Sequence, residues 1–211
     1  MNFDFSEEQE ELRRQARKYF EAQGSCVEAR KVLDGDIAYD QESWKTAGEM
    51  GWLGAAIEED YGGIGLGYLE LCVLFEEIGR AMSPIPYTST IFAAEAIRLA
   101  GSKAQKEAYL PQLAEGAFIG CCALFEPGQR DISKATQMTA VDDRLTGVKA
   151  PVSDLALADF AVVPAKDADG VSLYLVHLDG EGVQRENLDA MELVRPQGIL
   201  TLDNAQAERL G

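Results

Sequence analysis

The chain has 211 residues, of which 46% are hydrophobic and 26% charged, and its 36 acidic and 19 basic side chains give a formal charge of −17. This is the composition of an ordinary soluble globular protein, and the acidic excess argues against a nucleic-acid surface, which needs clustered Lys and Arg. No apolar run reaches the roughly 20 residues of a membrane-spanning helix, and the N-terminus lacks the basic and apolar regions of a secretory signal, so we expect a cytoplasmic protein with no membrane contact.

The first 117 residues carry helical patterns. Ser6 and Gln9 have the spacing of a capping box, and apolar residues then recur at helical intervals as far as Phe20. The broad apolar face over residues 68–82 suggests a helix that is buried on most sides. The other predicted helices cover 42–50, 87–100 and a segment that Ser102 caps and that ends near Gly116.

The pattern changes at about residue 117 to short, β-rich runs separated by turn residues such as Pro127-Gly128 and Asp142-Asp143. Because no helix of useful length separates these runs, an antiparallel sheet or barrel is favoured over alternating βαβ units. The sequence therefore predicts an α+β chain of two domains. An all-α helical domain covers residues 1–117, and an antiparallel, β-barrel-like domain covers residues 118–211.

The cysteines and the histidine do not suggest a metal site. The four cysteines form no CxxC pair, and adjacent residues such as Cys121 and Cys122 point to opposite faces of a strand. His177 stands alone in an apolar run. We expect reduced, mostly buried thiols and no bound metal.

A glycine-rich segment, residues 62–67, precedes the helix predicted over 68–82 and invites comparison with a phosphate-binding loop. A dinucleotide loop needs a strand leading in and a helix N-terminus that faces the pyrophosphate. Here Glu58, Glu59 and Asp60 lie against the loop, where their carboxylates would repel phosphate, and the spacing fits neither GxGxxG after a strand nor GxxxxGK(S/T). We therefore interpret the glycines as structural, supplying positive φ angles and close chain approach.

This region carries a resemblance to a known family. Residues 57–81, IEEDYGGIGLGYLELCVLFEEIGRA, resemble the P-E-x-Y-G-G-x-G segment and following helix of the acyl-CoA dehydrogenase family. Residues 3–20 are similar to the opening helix of the family. Residues 101–116, GSKAQKEAYLPQLAEG, are similar to its G-(S/T)-x-x-Q-K-x-x-(Y/W)-L-P-x-L-x-x-G segment.

The second half resembles the same family. ALFEPGQRD (residues 123–131) stands where the family has A-x-T-E-P-G-A-G-S-D. LTGVKAPVSD (145–154) is similar to its L-N-G-x-K-x-(W/F)-I-(T/S)-(N/G) strand, and ADFAVVPAK (158–166) is similar to its A-D-x-x-x-V-x-A strand. The segments occur in the family's order along nearly the whole chain.

The resemblance implies an FAD-dependent enzyme that desaturates acyl-CoA thioesters between the α and β carbons. In the family a carboxylate removes the α-proton while the flavin accepts the β-hydride. The family fold has a helical N-terminal domain, a β-barrel-like middle domain and a helical C-terminal domain that usually carries the catalytic Glu. The resemblance covers the first two, so we assign no catalytic residue here and interpret Glu76 and Glu77 as structural groups.

The first cofactor segment departs from the family pattern. The resemblance implies flavin contacts at Leu124 and Phe125, where the family has a Thr hydroxyl that this chain lacks. Arg130 is implied to offer a cation to a phosphate and, with Asp131, to contact the substrate. The alternative for Arg130 is a solvated loop charge.

The second cofactor segment consists of Pro151, Val152 and Ser153. Pro151 stands in place of the family's aromatic ring beside the flavin, so that stacking partner is lost. Ser153 keeps a hydroxyl at the family's Ser/Thr position, and its alternative interpretation is a turn residue at the end of a strand.

Three functional hypotheses remain open. The first is an acyl-CoA dehydrogenase family member that binds FAD and acyl-CoA, transfers electrons to an electron-transfer flavoprotein-type acceptor, and forms homo- or hetero-oligomers that cover its exposed apolar faces. The second is a non-catalytic partner subunit of a heteromeric acyl-CoA dehydrogenase, either a natural partial subunit or a fragment. A flavin monooxygenase-like or nitroalkane-oxidase-like relative is a third.

Overall fold

The computed structural model describes residues 4–24, 26–129 and 136–211. Its first part is helical, and a single 3-10 turn at Glu59–Tyr61 lies between the third and fourth helices. The helices are α1 (Glu7–Gln23), α2 (Val27–Leu33), α3 (Gln41–Glu49), α4 (Tyr68–Ala81), α5 (Tyr87–Ala100) and α6 (Lys103–Ala114).

The predicted helices are present, with ends that shift by one or two residues. Ser6 and Ser102 both cap helices through a complete capping box, in which each hydroxyl accepts from the N–H of the Gln three residues later. The sequence interpretation missed α2, a helix of seven residues whose preceding residue, Cys26, makes no side-chain cap. Such a short helix gives too few turns for a periodic pattern.

The second part of the chain is a sheet. Its strands, among the described residues, are β1 (Gly120–Cys122), β2 (Thr139–Val141), β3 (Arg144–Ser153), β4 (Phe160–Asp167), β5 (Gly170–His177), β6 (Val183–Leu188), β7 (Gln197–Gln206) and β8 (Glu208–Arg209). These eight strands have the order β6-β7-β3-β2-β4-β5-β8, and β1 also pairs with β4. The prediction of helices followed by a barrel-like sheet is confirmed. The sheet is mixed rather than purely antiparallel, since β4 runs parallel to both β1 and β2.

Strand β4 joins the helices to the sheet. Its residues from Phe160 to Ala165 are buried, because the strand is covered on both faces. Phe160 and Val162 pack in one cluster with residues of α5 and α6, whereas Ala161 and Val163 belong to a larger cluster that joins residues of α1, α3 and α4 to residues of the sheet. The division into domains at residue 117 stays a prediction; α6 ends at Ala114 and β1 begins at Gly120.

The cysteines are free thiols, but only part of the expectation of burial is met. Cys121 is buried, Cys26 and Cys122 are half-buried, and Cys72 is exposed on α4. Burial raises the pKa of Cys122 to about 12, which makes that thiol unreactive. Within the described ranges, no group of three or more His, Cys, Asp or Glu side chains is arranged to hold a metal, and no helix is long and apolar enough to cross a membrane.

The structure confirms that the glycine-rich loop is a turn. A Cβ atom on Gly63 would lie 2.0 Å from the carbonyl oxygen of Ile57, and Gly62 has a φ of +80°. The N-terminus of α4 is satisfied by its own side chain, because the Glu70 carboxylate accepts from the Gly67 N–H at 2.9 Å. That carboxylate also accepts from Gln9 of α1 at 2.8 Å, which leaves a negative group where a phosphate would have to sit.

A buried carboxylate ties α1 to α4 and confirms that Glu77 is structural. The Glu77 side chain is fully buried, and Arg17 donates to both of its oxygens at 3.0 and 2.6 Å. Arg80 donates at 3.0 Å and Arg13 lies at 3.6 Å. The bond from Arg17 outweighs the effect of burial and holds the pKa of Glu77 below its ordinary value of 4.5. Glu76, beside it, is 58% exposed and pairs with Arg13.

We predict that Glu77→Gln lowers the free energy of unfolding by about 2–3 kcal/mol at pH 7, because it leaves arginines without their common partner. The lowered pKa means that the stabilisation is present above the ordinary glutamate pKa and is lost as pH falls through the folded-state pKa. The free energies of unfolding of the original protein and of Glu77→Gln should therefore converge in acid. Urea denaturation at several pH values measures this. Glu76→Gln is the control, expected to cost under about 1 kcal/mol; equal losses for both variants would contradict the assignment.

We predict that Gly63→Ala destabilises the chain by more than about 2 kcal/mol, since backbone rather than a flexible side chain blocks the added Cβ. Gly79 is the matched control within α4, where no atom lies within 4 Å of the position that an added Cβ would take. Gly79→Ala should stabilise by roughly 0.5–1 kcal/mol through helix propensity. Thermal and urea unfolding measure both, and a neutral Gly63→Ala would show that the turn can relax.

Candidate cofactor and substrate site

The two predicted cofactor segments lie side by side. One is the irregular chain after β1, with Leu124 and Phe125, and the other is the end of β3. The Ala150 N–H donates to the Phe125 carbonyl at 2.9 Å and joins them. Pro151 is exposed and Ser153 is half-buried, so both are accessible next to this junction. Val152 points into the core and is fully buried, which leaves only its backbone for a ligand.

A buried ion pair holds the junction together. Lys149 Nζ donates to Glu126 Oε1 at 2.7 Å, and the Lys149 side chain is fully buried. Glu126 also accepts from the backbone N–H groups of Gln137 and Met138, at 2.8 and 3.1 Å. Burial alone would raise the pKa of Glu126, but Lys149 and the two N–H groups outweigh it and hold that pKa below its usual range. One carboxylate therefore fixes three chain segments at the edge of the predicted cofactor site.

The polar groups at this junction fit a flavin in part. Among the described residues, the Leu124 and Phe125 N–H groups donate no hydrogen bond, which leaves these donors for a ligand. The Ser153 hydroxyl is already engaged, since it donates to Gln197 Oε1 at 3.1 Å. Pro151 has neither an N–H group nor an aromatic ring. Arg130 and Asp131 lie outside the described residues.

A second buried carboxylate, which the sequence interpretation missed, follows Ser153 directly. Asp154 accepts a hydrogen bond from the Ser89 hydroxyl of α5, and Arg195 Nη2 lies 3.6 Å from the same oxygen. The backbone N–H of Asp154 donates to the Pro196 carbonyl at 2.8 Å. Burial, opposed by Ser89 and Arg195, raises the pKa of Asp154 above its ordinary value. The available signal was an Asp at the Asn/Gly position of the family pattern, where the chain has a φ of +57°.

A cavity of about 260 Å³ is linked to this carboxylate through Arg195, which lines the cavity and contacts Asp154. Its apolar walls come from α4, the connection after it and the start of α5, with Phe75, Ile78, Ile85 and Tyr87. Arg195 and Glu192, from the connection between β6 and β7, form its polar end. Two larger hollows, of about 450 and 680 Å³, are lined mainly by polar and acidic residues and do not include the predicted site residues. An apolar cavity with few polar groups is the form that small-molecule sites take.

We predict that Lys149→Met lowers the free energy of unfolding by about 3–5 kcal/mol, because it leaves Glu126 buried without its cation. Adding Glu126→Gln should restore part of that loss, giving a coupling energy above about 1 kcal/mol in a double-mutant cycle. Urea denaturation of the four proteins measures it. The surface pair Lys31–Glu28, 2.7 Å apart, is the control and should show a much smaller coupling energy. Similar coupling for the two pairs would contradict the role of burial.

The comparisons with known proteins agree with this architecture. The family model described as "Acyl-CoA dehydrogenase, N-terminal domain" matches residues 6–117. A curated relative, the "Probable acyl-CoA dehydrogenase" of Bacillus subtilis (strain 168), is 31% identical over 97% of this chain and 36% of its own length.

Two solved structures match the whole fold. The ChsE4-ChsE5 complex from Mycobacterium tuberculosis has a TM-score of 0.89 at 26% identity, over 100% of this chain and 58% of the other. An acyl-CoA dehydrogenase complexed with FAD from Bacillus anthracis has a TM-score of 0.82 at 28% identity, over 99% of this chain and 39% of the other. The chain thus spans about a third to a half of the length of the curated relatives it matches first. The protein belongs to the acyl-CoA dehydrogenase family.

Proposed function

We propose that this chain forms the FAD-binding and acyl-CoA-binding part of an enzyme that oxidises an acyl-CoA thioester between its α and β carbons. The observation that carries the proposal is the junction of two family segments, held by the ion pair of Glu126 and Lys149, together with an apolar cavity that Arg195 links to Asp154 after β3. The family assignment supplies the reaction class, and a similar protein has been solved with FAD.

The flavin would be held mainly by backbone groups of this chain. The N–H groups of Leu124 and Phe125 are suited to donate to its polar edge, and the Ser153 hydroxyl is suited to bind it if Gln197 releases that hydroxyl. Arg130 and Asp131 stay proposed contacts for a phosphate and for the substrate. When bound, the flavin supplies the hydride acceptor that protein side chains cannot provide.

The acyl chain would occupy the cavity between α4, the connection to α5 and the connection between β6 and β7. Phe75, Ile78 and Tyr87 provide an apolar wall, and Arg195 at the polar end contacts Asp154, which directly follows β3. The base that removes the α-proton is not assigned to this chain. In this proposal the base comes from a region outside the similarity described here or from a partner subunit. We also propose that an electron-transfer flavoprotein-type acceptor takes the electrons and that the protein is cytoplasmic.

A second candidate function is a non-catalytic partner subunit in a hetero-oligomer. It is favoured by Pro151, which offers neither ring nor N–H, and by the bond between Ser153 and Gln197, which satisfies the hydroxyl without a ligand. The similarity to a protein solved as the ChsE4-ChsE5 complex is consistent with this candidate.

We predict that the chain binds FAD and that Ser153→Ala weakens the binding by about two- to threefold, which is less than one full hydrogen bond is worth because the hydroxyl must first release Gln197. Isothermal titration with FAD measures the dissociation constant. Thr201→Ala, which removes a half-buried hydroxyl from the neighbouring strand β7, is the control and should leave it unchanged. A colourless protein that rejects added FAD alone but acquires yellow absorbance when mixed with a catalytic homologue would contradict the first function and support the partner subunit.

A further inference from the structure

Arg195 has a fixed place at the polar end of the 260 Å³ cavity. Its guanidinium lies 3.6 Å from the Asp154 carboxylate, which the Ser89 hydroxyl of α5 also binds. The Pro196 carbonyl accepts from the Asp154 N–H, so main chain and side chain both tie the segment of Arg195 to the end of β3. The Arg195 side chain nevertheless keeps 41% of its surface exposed, while Asp154 keeps 3%.

The guanidinium retains donors for a ligand. Arginine carries five N–H donors in a planar fork, and only the contact to Asp154 is found for Arg195 among the described residues. Arg195 is among the residues that line the cavity and is partly exposed, whereas the Asp154 carboxylate that it contacts is buried. The geometry therefore presents a preorganised donor, held by a buried partner, toward a space that a ligand can enter.

The charges around Arg195 favour an uncharged acceptor. Among the described residues, Glu192 is the carboxylate that lines this end of the cavity, and Asp154, outside the lining, contacts the guanidinium itself; Glu192 also accepts from the Val194 N–H at 2.7 Å. Two acidic side chains against one guanidinium leave no excess positive charge for a carboxylate ligand. A ketone or hydroxyl oxygen accepts from arginine without bringing a third negative charge.

We propose that Arg195 is a specificity-determining residue that donates to an uncharged oxygen on the acyl chain, so that the cavity selects oxygenated acyl thioesters over hydrocarbon and carboxylate chains of equal length. The inference rests on the proposed function, in which acyl-CoA occupies this cavity. Asp154 is a positioning residue, because it acts through Arg195. A cavity of 260 Å³ suits a short acyl chain.

The test compares three five-carbon ligands on the full chain: pentanoyl-CoA, 4-oxopentanoyl-CoA and glutaryl-CoA. Isothermal titration should give 4-oxopentanoyl-CoA about five- to tenfold tighter binding than pentanoyl-CoA, and glutaryl-CoA no advantage over pentanoyl-CoA. Arg195→Met should bring the ratio of the affinities for 4-oxopentanoyl-CoA and pentanoyl-CoA close to one, whatever its effect on the two affinities separately. Arg195→Lys should keep part of the ratio, and Asp154→Asn should lower it.

Arg144→Met is the control, because Arg144 donates to the Asn204 carbonyl in another part of the sheet. Arg144→Met should keep the full ratio of the affinities for 4-oxopentanoyl-CoA and pentanoyl-CoA. The ratio of two affinities separates specificity from folding, since a merely damaged cavity weakens both ligands together. An unchanged ratio in Arg195→Met, or tightest binding of glutaryl-CoA, overturns the inference while the proposed function stands. Failure of all three ligands to bind the original protein overturns both.

Discussion

The buried ion pair between Glu126 and Lys149 is the constraint on which the candidate site depends. Neither charge can be buried alone without a large desolvation penalty, so the two segments that carry them must meet or the fold loses stability. The backbone N–H groups of Gln137 and Met138 use the remaining capacity of the carboxylate. As a result Leu124 and Phe125, which lie outside any strand, are held against the end of β3 by electrostatics rather than by a continuous ladder.

The same principle is repeated at two other buried carboxylates. Glu77 joins α1 to α4 through arginines, and Asp154 joins α5, β3 and the connection after β6 through Ser89 and Arg195. Each links elements that are distant in sequence, and each lies where apolar packing alone would leave the relative position of the elements poorly defined. Satisfied polar networks of this kind favour a single arrangement, because a displaced partner would leave a buried charge unpaired.

The sequence predicted what depends on neighbouring residues. The caps at Ser6 and Ser102 and the turn at the glycine-rich loop were predicted because their chemistry lies within a few positions. The parallel pairing of β4 with β1 and β2 was not predicted, since it joins segments that lie about 25 to 40 residues apart and has no local signal. The roles of Asp154 and Arg195 were missed for the same reason: their partners are far apart in the chain, and an acidic residue after Ser153 looks like any turn residue. The predicted contacts at Arg130 and Asp131 stay untested.

The state of Ser153 connects the two candidate functions. Its hydroxyl is satisfied by Gln197, so a flavin that uses this hydroxyl must replace an existing hydrogen bond rather than fill a vacant one, and the net gain is correspondingly small. Pro151 adds no stacking energy that would offset this. The affinity of the chain for FAD then depends mostly on backbone donors at Leu124 and Phe125 and on whatever covers the other side of the ring. A site that holds FAD mainly by backbone donors gains more affinity from a partner surface than a site with a complete set of side-chain contacts. The reason is that each contact added by the partner acts on a flavin that the junction has already oriented.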